Sequence, residues 1–264
     1  MFRPKRPPRI PGLSVNKLIP NILTMLALCA GLTSIRFAVH GMWKEAVIAT
    51  VLAAILDGLD GRVARLLQGT SKFGAELDSL SDFVSFGVAP AMVLYFWVMR
   101  EAGGFGWALV LLFSVCCALR LARFNTMIGE PDLPPYAYNF FTGVPAPAAA
   151  GLVLMPLILT IQFGDGLFDR PLVVAVFLMG VSFLMVSKLP TFSFKKVRIP
   201  HGWVLPILLV VGLAAAFLVT EPWLTLGLVG CAYLTSIPFA ARSFRRLKAQ
   251  ADMVVAEASP PPQA

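Results

Sequence analysis

From residue 18 to residue 240 the chain is a series of apolar runs, each about as long as a bilayer is thick, broken by short polar or basic stretches. Nothing else in the sequence restricts the fold as strongly. A helix needs roughly 17 to 25 apolar residues to cross a hydrocarbon core, and backbone groups inside that core must satisfy one another. The runs 18–39, 45–66, 75–99, 106–127, 144–163, 171–188, 203–220 and 222–240 meet that length. The expected fold is therefore all-α, a polytopic integral-membrane helical bundle of about eight transmembrane helices. With 58% hydrophobic and only 14% charged residues, and a mean hydropathy of +0.78, the composition excludes an ordinary soluble domain.

The net charge of +8 does not point to nucleic acid, because the basic residues form short clusters between apolar runs instead of one folded patch. With a cytoplasmic N-terminus, every one of the 22 lysines and arginines except Arg36, Lys44, Arg100 and Arg170 falls on the inner side. The positive-inside rule thus predicts an inner-membrane protein with both termini cytoplasmic. Residues 1–17 read as a basic arm for anionic headgroups, and 242–264 as a basic stretch leading into a disordered tail. The basic start runs into a full-length span without a small-residue cleavage site, so the first run is expected to be an anchor. Cys29, Cys116, Cys117 and Cys231 lie within apolar runs, outside any CxxC spacing, and are expected to act as small buried hydrophobes.

One stretch contradicts this economy of charge. Residues 57–82 read DGLDGRVARLLQGTSKFGAELDSLSD and place four aspartates at the inner ends of the second and third spans. Asp57 and Asp60 are three apart on one helix, and Asp78 and Asp82 four apart on the next, so each pair shares a helix face. A charged residue drawn toward the bilayer centre costs about 2.5–3.5 kcal/mol on insertion scales. Scattered loop charge or Asp–Arg pairs closing a hairpin would not explain why all four acids converge. Two divalent cations would neutralise them, and an all-oxygen donor set without nearby His or Cys fits Mg²⁺, Mn²⁺ or Ca²⁺ better than zinc. Such a paired site at a membrane interface suits phosphoryl transfer. A transporter or channel is the competing class, but it would place acids near mid-membrane in repeated halves, and here they sit at one edge of one hairpin.

The stretch fits D-x-x-D-G-x-x-A-R-x₈-G-x-x-x-D-x-x-x-D, filled by Asp57, Asp60, Gly61, Ala64, Arg65, Gly74, Asp78 and Asp82. This resembles the signature of the CDP-alcohol phosphotransferases. The resemblance implies an integral-membrane enzyme that displaces CMP from a CDP-linked lipid, with its active site at the cytoplasmic interface and a homodimeric assembly. It implies Asp57, Asp60 and Asp78 as ligands to two divalent cations, Mg²⁺ or Mn²⁺. Asp82 would complete the metal site and act as the general base on the acceptor hydroxyl. Gly61, Ala64, Arg65 and Gly74 would shape the CDP pocket, joined by Asn21 and Thr24 from IPNILT, which is similar to the family's PNxLT element.

LRLARFN (119–125), FFTGVPAPAAAG (140–151) and LMVSKLPTFSFKK (184–196) resemble the phosphatidylserine-forming branch of that superfamily. The implied reaction uses CDP-diacylglycerol and L-serine and yields phosphatidylserine and CMP. On this resemblance residues 18–200 are the six-span core and 201–241 two additional helices. Serine carries a carboxylate, so Arg120 and Arg123, with Asn125 and Lys188 behind them, are the candidate serine-binding residues. Where the branch commonly has GLPSPAAA this chain has GVPAPAAA, so Ala146 offers no hydroxyl. Glycerol 3-phosphate, inositol phosphate or choline are the alternative acceptors. A route through paired HxK motifs is excluded, since neither His40 nor His201 is followed by x-Lys.

Overall fold

The computed structural model describes residues 15–69, 71–127, 140–192 and 204–258. Most of the basic arm, Lys195, Lys196, Arg198 and Trp203, and the end of the tail lie outside these residues. The helices are α1 (Val15–Val39), α2 (Trp43–Leu66), α3 (Lys72–Asp82), α4 (Ala89–Trp97), α5 (Gly103–Met127), α6 (Ala146–Val153), α7 (Met155–Phe163), α8 (Pro171–Val186), α9 (Val204–Thr220) and α10 (Pro222–Ala258). A two-stranded antiparallel ribbon joins β1 (Phe140–Thr142) to β2 (Pro190–Phe192), pairing Phe141 with Thr191.

Among the described residues, four helices are long and apolar enough to cross a membrane: Leu18–Val39, Lys72–Trp97, Met99–Thr126 and Pro222–Leu247. The pair α6–α7, bent by 41° ahead of Pro156, makes a fifth if counted as one span. By length and composition this is fewer than the eight expected. The helix α2 fails because it carries Asp57, Asp60, Arg62 and Arg65, and the apolar helices α8 and α9 have only 16 and 17 residues. At the other end, α10 continues to Ala258 through residues expected to be disordered. The stretch KAQADMVVAEA is built of good helix formers, which extend an existing helix at little cost.

Small residues let α1 and α2 approach closely. Ala27, Ala30, Ala38, Ala46, Ala49 and Ala53 are buried, and between the backbones Ser34 Oγ donates to the Ala46 carbonyl at 2.8 Å and meets Thr50 Oγ1 at 2.9 Å. This is how apolar helices associate where lipid removes the hydrophobic drive. Of the cysteines, all free, Cys116 and Cys117 are buried as expected, but Cys29 and Cys231 lie exposed on the bundle surface.

Between α3 and α4 the rod opens into a π-helical turn, Phe83–Val88, directly after Asp82. Pro90 accounts for it: it has no N–H for the Phe86 carbonyl, and its ring crowds that carbonyl. The widened turn is clamped on both sides. A Cβ at Gly31 of α1 would stand 2.6 Å from Ser85 Oγ, and one at Gly87 would stand 2.9 Å from Cys117 Sγ of α5. The turn's polar groups are satisfied across these contacts, with Ser85 Oγ donating to the Ala27 carbonyl at 3.3 Å and Ser114 Oγ to that of Gly87 at 3.1 Å.

The C-terminal carbonyls of α8 are closed by other elements. Arg123 of α5 donates from Nη1 to the Val186 carbonyl at 2.8 Å and from Nη2 to that of Ser187 at 3.3 Å. Gly143, at φ 76°, packs its Cα against the same end, where a Cβ would lie 2.6 Å from the Met185 carbonyl oxygen. Gly143→Ala is therefore expected to destabilise the fold by at least the roughly 1–3 kcal/mol of a strained backbone conformer. A lowered Tm of the detergent-solubilised protein would register it, and an unchanged Tm would mean the ribbon can swing clear of α8.

Candidate active site

The last turns of α2 and the start of α3 form a hairpin whose tightness fixes the acids. Gln68 takes φ 49°, and the Gly69 N–H returns to the Ala64 carbonyl at 2.9 Å, a closure that ends α2 and turns the chain. Ser71 then caps α3, its hydroxyl accepting from the Gly74 N–H at 3.0 Å. The two helices so joined bring Asp57, Asp60 and Asp78 together: one carboxylate oxygen from each lies within 4.8 Å of the others. Ligand oxygens on one hard cation sit about 2.0–2.6 Å from it, so two of them can be at most about 4–5 Å apart. The cluster fits a metal of that class, in spacing and in its all-oxygen donors.

Asp82 is not one of this trio. It lies four residues beyond Asp78, about 6 Å further along the helix, and its carboxyl meets that of Asp57. The acids that cluster are therefore Asp57, Asp60 and Asp78, with Asp82 a turn further along α3 and in contact with Asp57. Arg120 of α5 brings positive charge to both Asp57 and Asp82.

Beside the trio opens a cavity of about 350 Å³. It is lined by all six residues expected at a nucleotide, Asn21, Thr24, Gly61, Ala64, Arg65 and Gly74, and also by Asp60 and Asp78. Their local roles differ. A Cβ at Gly61 would meet nothing within 4 Å, so that position faces open space; one at Gly74 would stand 2.9 Å from Asn21 Oδ1, so only glycine admits Asn21 there. Arg65 lies at the exposed rim with its Nε donating to the Gly61 carbonyl at 2.9 Å.

Thr24 is buried, and its hydroxyl stands 2.6 Å from Asp60 Oδ2 and 3.1 Å from the Pro20 carbonyl. A hydroxyl has one proton, and the charged carboxylate is the stronger acceptor. Thr24 therefore holds Asp60 in place, a task the sequence reading did not give it. Ser81 ties the same point of α1 to α3, donating to the Thr24 carbonyl at 3.1 Å.

The candidate acceptor residues separate in the same way. Arg123 spends its guanidinium on α8, and Asn125 Nδ2 donates to Ser79 Oγ at 2.9 Å, tying α5 to α3. Lys188 is exposed after α8. Arg120 alone of the four keeps an unpaired buried nitrogen, Nε, among the described residues. The sequence reading also missed Ser71, whose position three residues before Gly74 and at a helix start was a legible cap, and Ser79, whose partner 46 residues away was not.

A family model described as CDP-alcohol phosphatidyltransferase matches residues 17–187, and a second, CDP-alcohol phosphatidyltransferase 2, matches 202–238. The second match takes in the two helices that had been set apart as additional. Among curated proteins, the chain is 43% identical over 231 residues to the CDP-diacylglycerol--serine O-phosphatidyltransferase of Mycobacterium tuberculosis, covering 88% of this chain and 80% of the relative. It is 43% identical to the protein of the same name from Helicobacter pylori (69% of this chain, 74% of the relative), and 35% identical to that from Bacillus subtilis (67% and 92%).

Proposed function

The chain belongs to the CDP-alcohol phosphatidyltransferase family, and from that premise we propose that it transfers the phosphatidyl group of CDP-diacylglycerol to L-serine, giving phosphatidylserine and CMP. The observation that carries the chemistry is the carboxylate trio, two of whose members, Asp60 and Asp78, line a cavity of about 350 Å³. The acceptor is supported by the names of relatives matched over most of the chain.

Asp57, Asp60 and Asp78 would hold the divalent cations, Mg²⁺ or Mn²⁺, whose charge offsets that of the diphosphate and of the departing CMP. The protein's own contribution begins with Thr24, which fixes the Asp60 carboxylate through its hydroxyl. Gly61, Ala64 and Gly74 leave the cavity open to the cytidine, and Arg65 stands at its rim for a phosphate oxygen. Asp82, paired with Asp57 one turn deeper, takes the proton from the serine hydroxyl. The serine oxygen bonds to the phosphorus that carries the diacylglycerol, and the bond from that phosphorus to CMP breaks. Arg120 receives the serine carboxylate, while Arg123 and Asn125 hold the helices around it. A panel of acceptors offered with CDP-diacylglycerol to purified protein tests this: serine should release CMP fastest, and faster release with glycerol 3-phosphate, inositol phosphate or choline would replace it as the substrate.

We also place the site on the cytoplasmic side of the inner membrane, with α2, α8 and α9 crossing alongside the helices named above as long and apolar enough to do so. The asymmetry of lysine and arginine supports this. In Lys72→Cys, an impermeant maleimide should label the protein only after cells are opened. Labelling of intact cells would invert the topology.

A further inference from the structure

Among the described residues, two side-chain atoms are buried without a hydrogen-bond partner: Arg120 Nε on α5 and the Tyr233 hydroxyl on α10. Such atoms are rare in native proteins, and each needs an explanation, a catalytic role or a bound water, ion or ligand among them. These two are not independent. Arg120 and Tyr233 interact electrostatically with each other, and Arg120 does so with Asp82 as well. Arg120 thus connects the proposed base to the tyrosine. Thr191 of β2 approaches the Tyr233 hydroxyl without closing a hydrogen bond to it, its own proton going to the Gly143 carbonyl at 3.0 Å.

Packing holds the tyrosine where it is. Tyr233 lines an apolar cavity of about 220 Å³ with Thr50, Val51, Pro147 and Leu226, and it packs against the hydrophobic core. A phenylalanine would fill that space equally well, so the hydroxyl is the part that packing leaves unexplained. The segment that supplies it, 202–238, is matched by a family model of its own.

We propose that Arg120 and Tyr233 together form a carboxylate-binding pocket for the acceptor, with the Tyr233 hydroxyl donating to one carboxylate oxygen and Arg120 Nε–H to the other. This rests on the proposed transfer to serine. It makes α10 a wall of the acceptor site and Tyr233 a specificity-determining residue. Serine's hydroxyl and carboxylate are separated by two carbons, so a serine held by this pocket presents its hydroxyl toward Asp82, the acid that shares Arg120 with the tyrosine.

Kinetics of full-length purified protein with CDP-diacylglycerol and serine test the pocket. The wild type must first release CMP on addition of serine. Tyr233→Phe should then raise the KM for serine by roughly tenfold, the weight of one hydrogen bond to a charged group, with the KM for CDP-diacylglycerol and the Tm unchanged. An unaltered serine KM, or an equal rise in both KM values, overturns the pocket while leaving the transfer reaction standing. A wild type that uses another acceptor and ignores serine refutes the reaction itself, and the pocket with it.

Discussion

Asp60→Ala, and equally Asp57→Ala or Asp78→Ala, is expected to lower turnover by at least 10²–10³-fold, the weight of one preorganised electrostatic contact at a reacting centre. The protein should nevertheless remain folded in the membrane. Three carboxylates with oxygens within 4.8 Å repel one another when no cation is bound, so removing one relieves the apo protein. Asp60→Ala should therefore match or exceed the wild type in Tm under chelation. The two should part when metal is added: Mg²⁺ or Mn²⁺ stabilises whatever binds it in the folded state only, so the wild type should gain in Tm and the variant should not. Equal gains in both proteins would remove Asp60 from the site, and full activity of the alanine variant would remove the metal from the account. The neighbouring Thr24→Val variant leaves the acid but frees its carboxylate, and should fall between the two.

Asp82→Asn is expected to reduce kcat by roughly 10²-fold or more while metal and CDP-diacylglycerol still bind, because general acid–base catalysis by a positioned side chain contributes about that factor. Asparagine keeps the shape and an oxygen but cannot take a proton at neutral pH. The geometry bears on this expectation: Asp82 lies outside the cluster of Asp57, Asp60 and Asp78 and touches it through Asp57, so the asparagine leaves the three proposed ligands in place. Among the described residues no histidine is placed to replace it, since His40 follows the far end of α1. Calorimetric titration beside turnover of the same preparation separates the outcomes. Near-normal turnover would deny the base, and loss of nucleotide binding together with turnover would make Asp82 a ligand.

Spacing along the chain made much of this site legible. Asp57, Asp60, Gly61, Ala64, Arg65, Gly74 and Asp78 fall within one helical hairpin, so their periodicity already placed them on facing surfaces, and all of them but Asp57 line the same cavity. What stayed hidden depends on pairs distant in sequence. Thr24 meets Asp60 across 36 residues, Arg123 meets Val186 across 63, and nothing local marks either as a contact. The same holds for the ribbon, where Phe140 pairs with Phe192 and brings together two stretches that the sequence reading had treated separately. In the fold, α2 is as long as a span but carries the site's acids, so by composition alone it does not stand out among the helices it packs with. At the C-terminus, polar composition suggested disorder where helix propensity carries α10 on to Ala258.

The most direct test is the balance of the reaction in purified protein supplied with CDP-diacylglycerol and labelled serine. Label entering a serine-headed lipid and CMP released should appear in a one-to-one ratio, both should stop on exhaustive chelation, and both should return with Mg²⁺ or Mn²⁺. CMP released without serine, or label incorporated at full rate after chelation, would contradict the account.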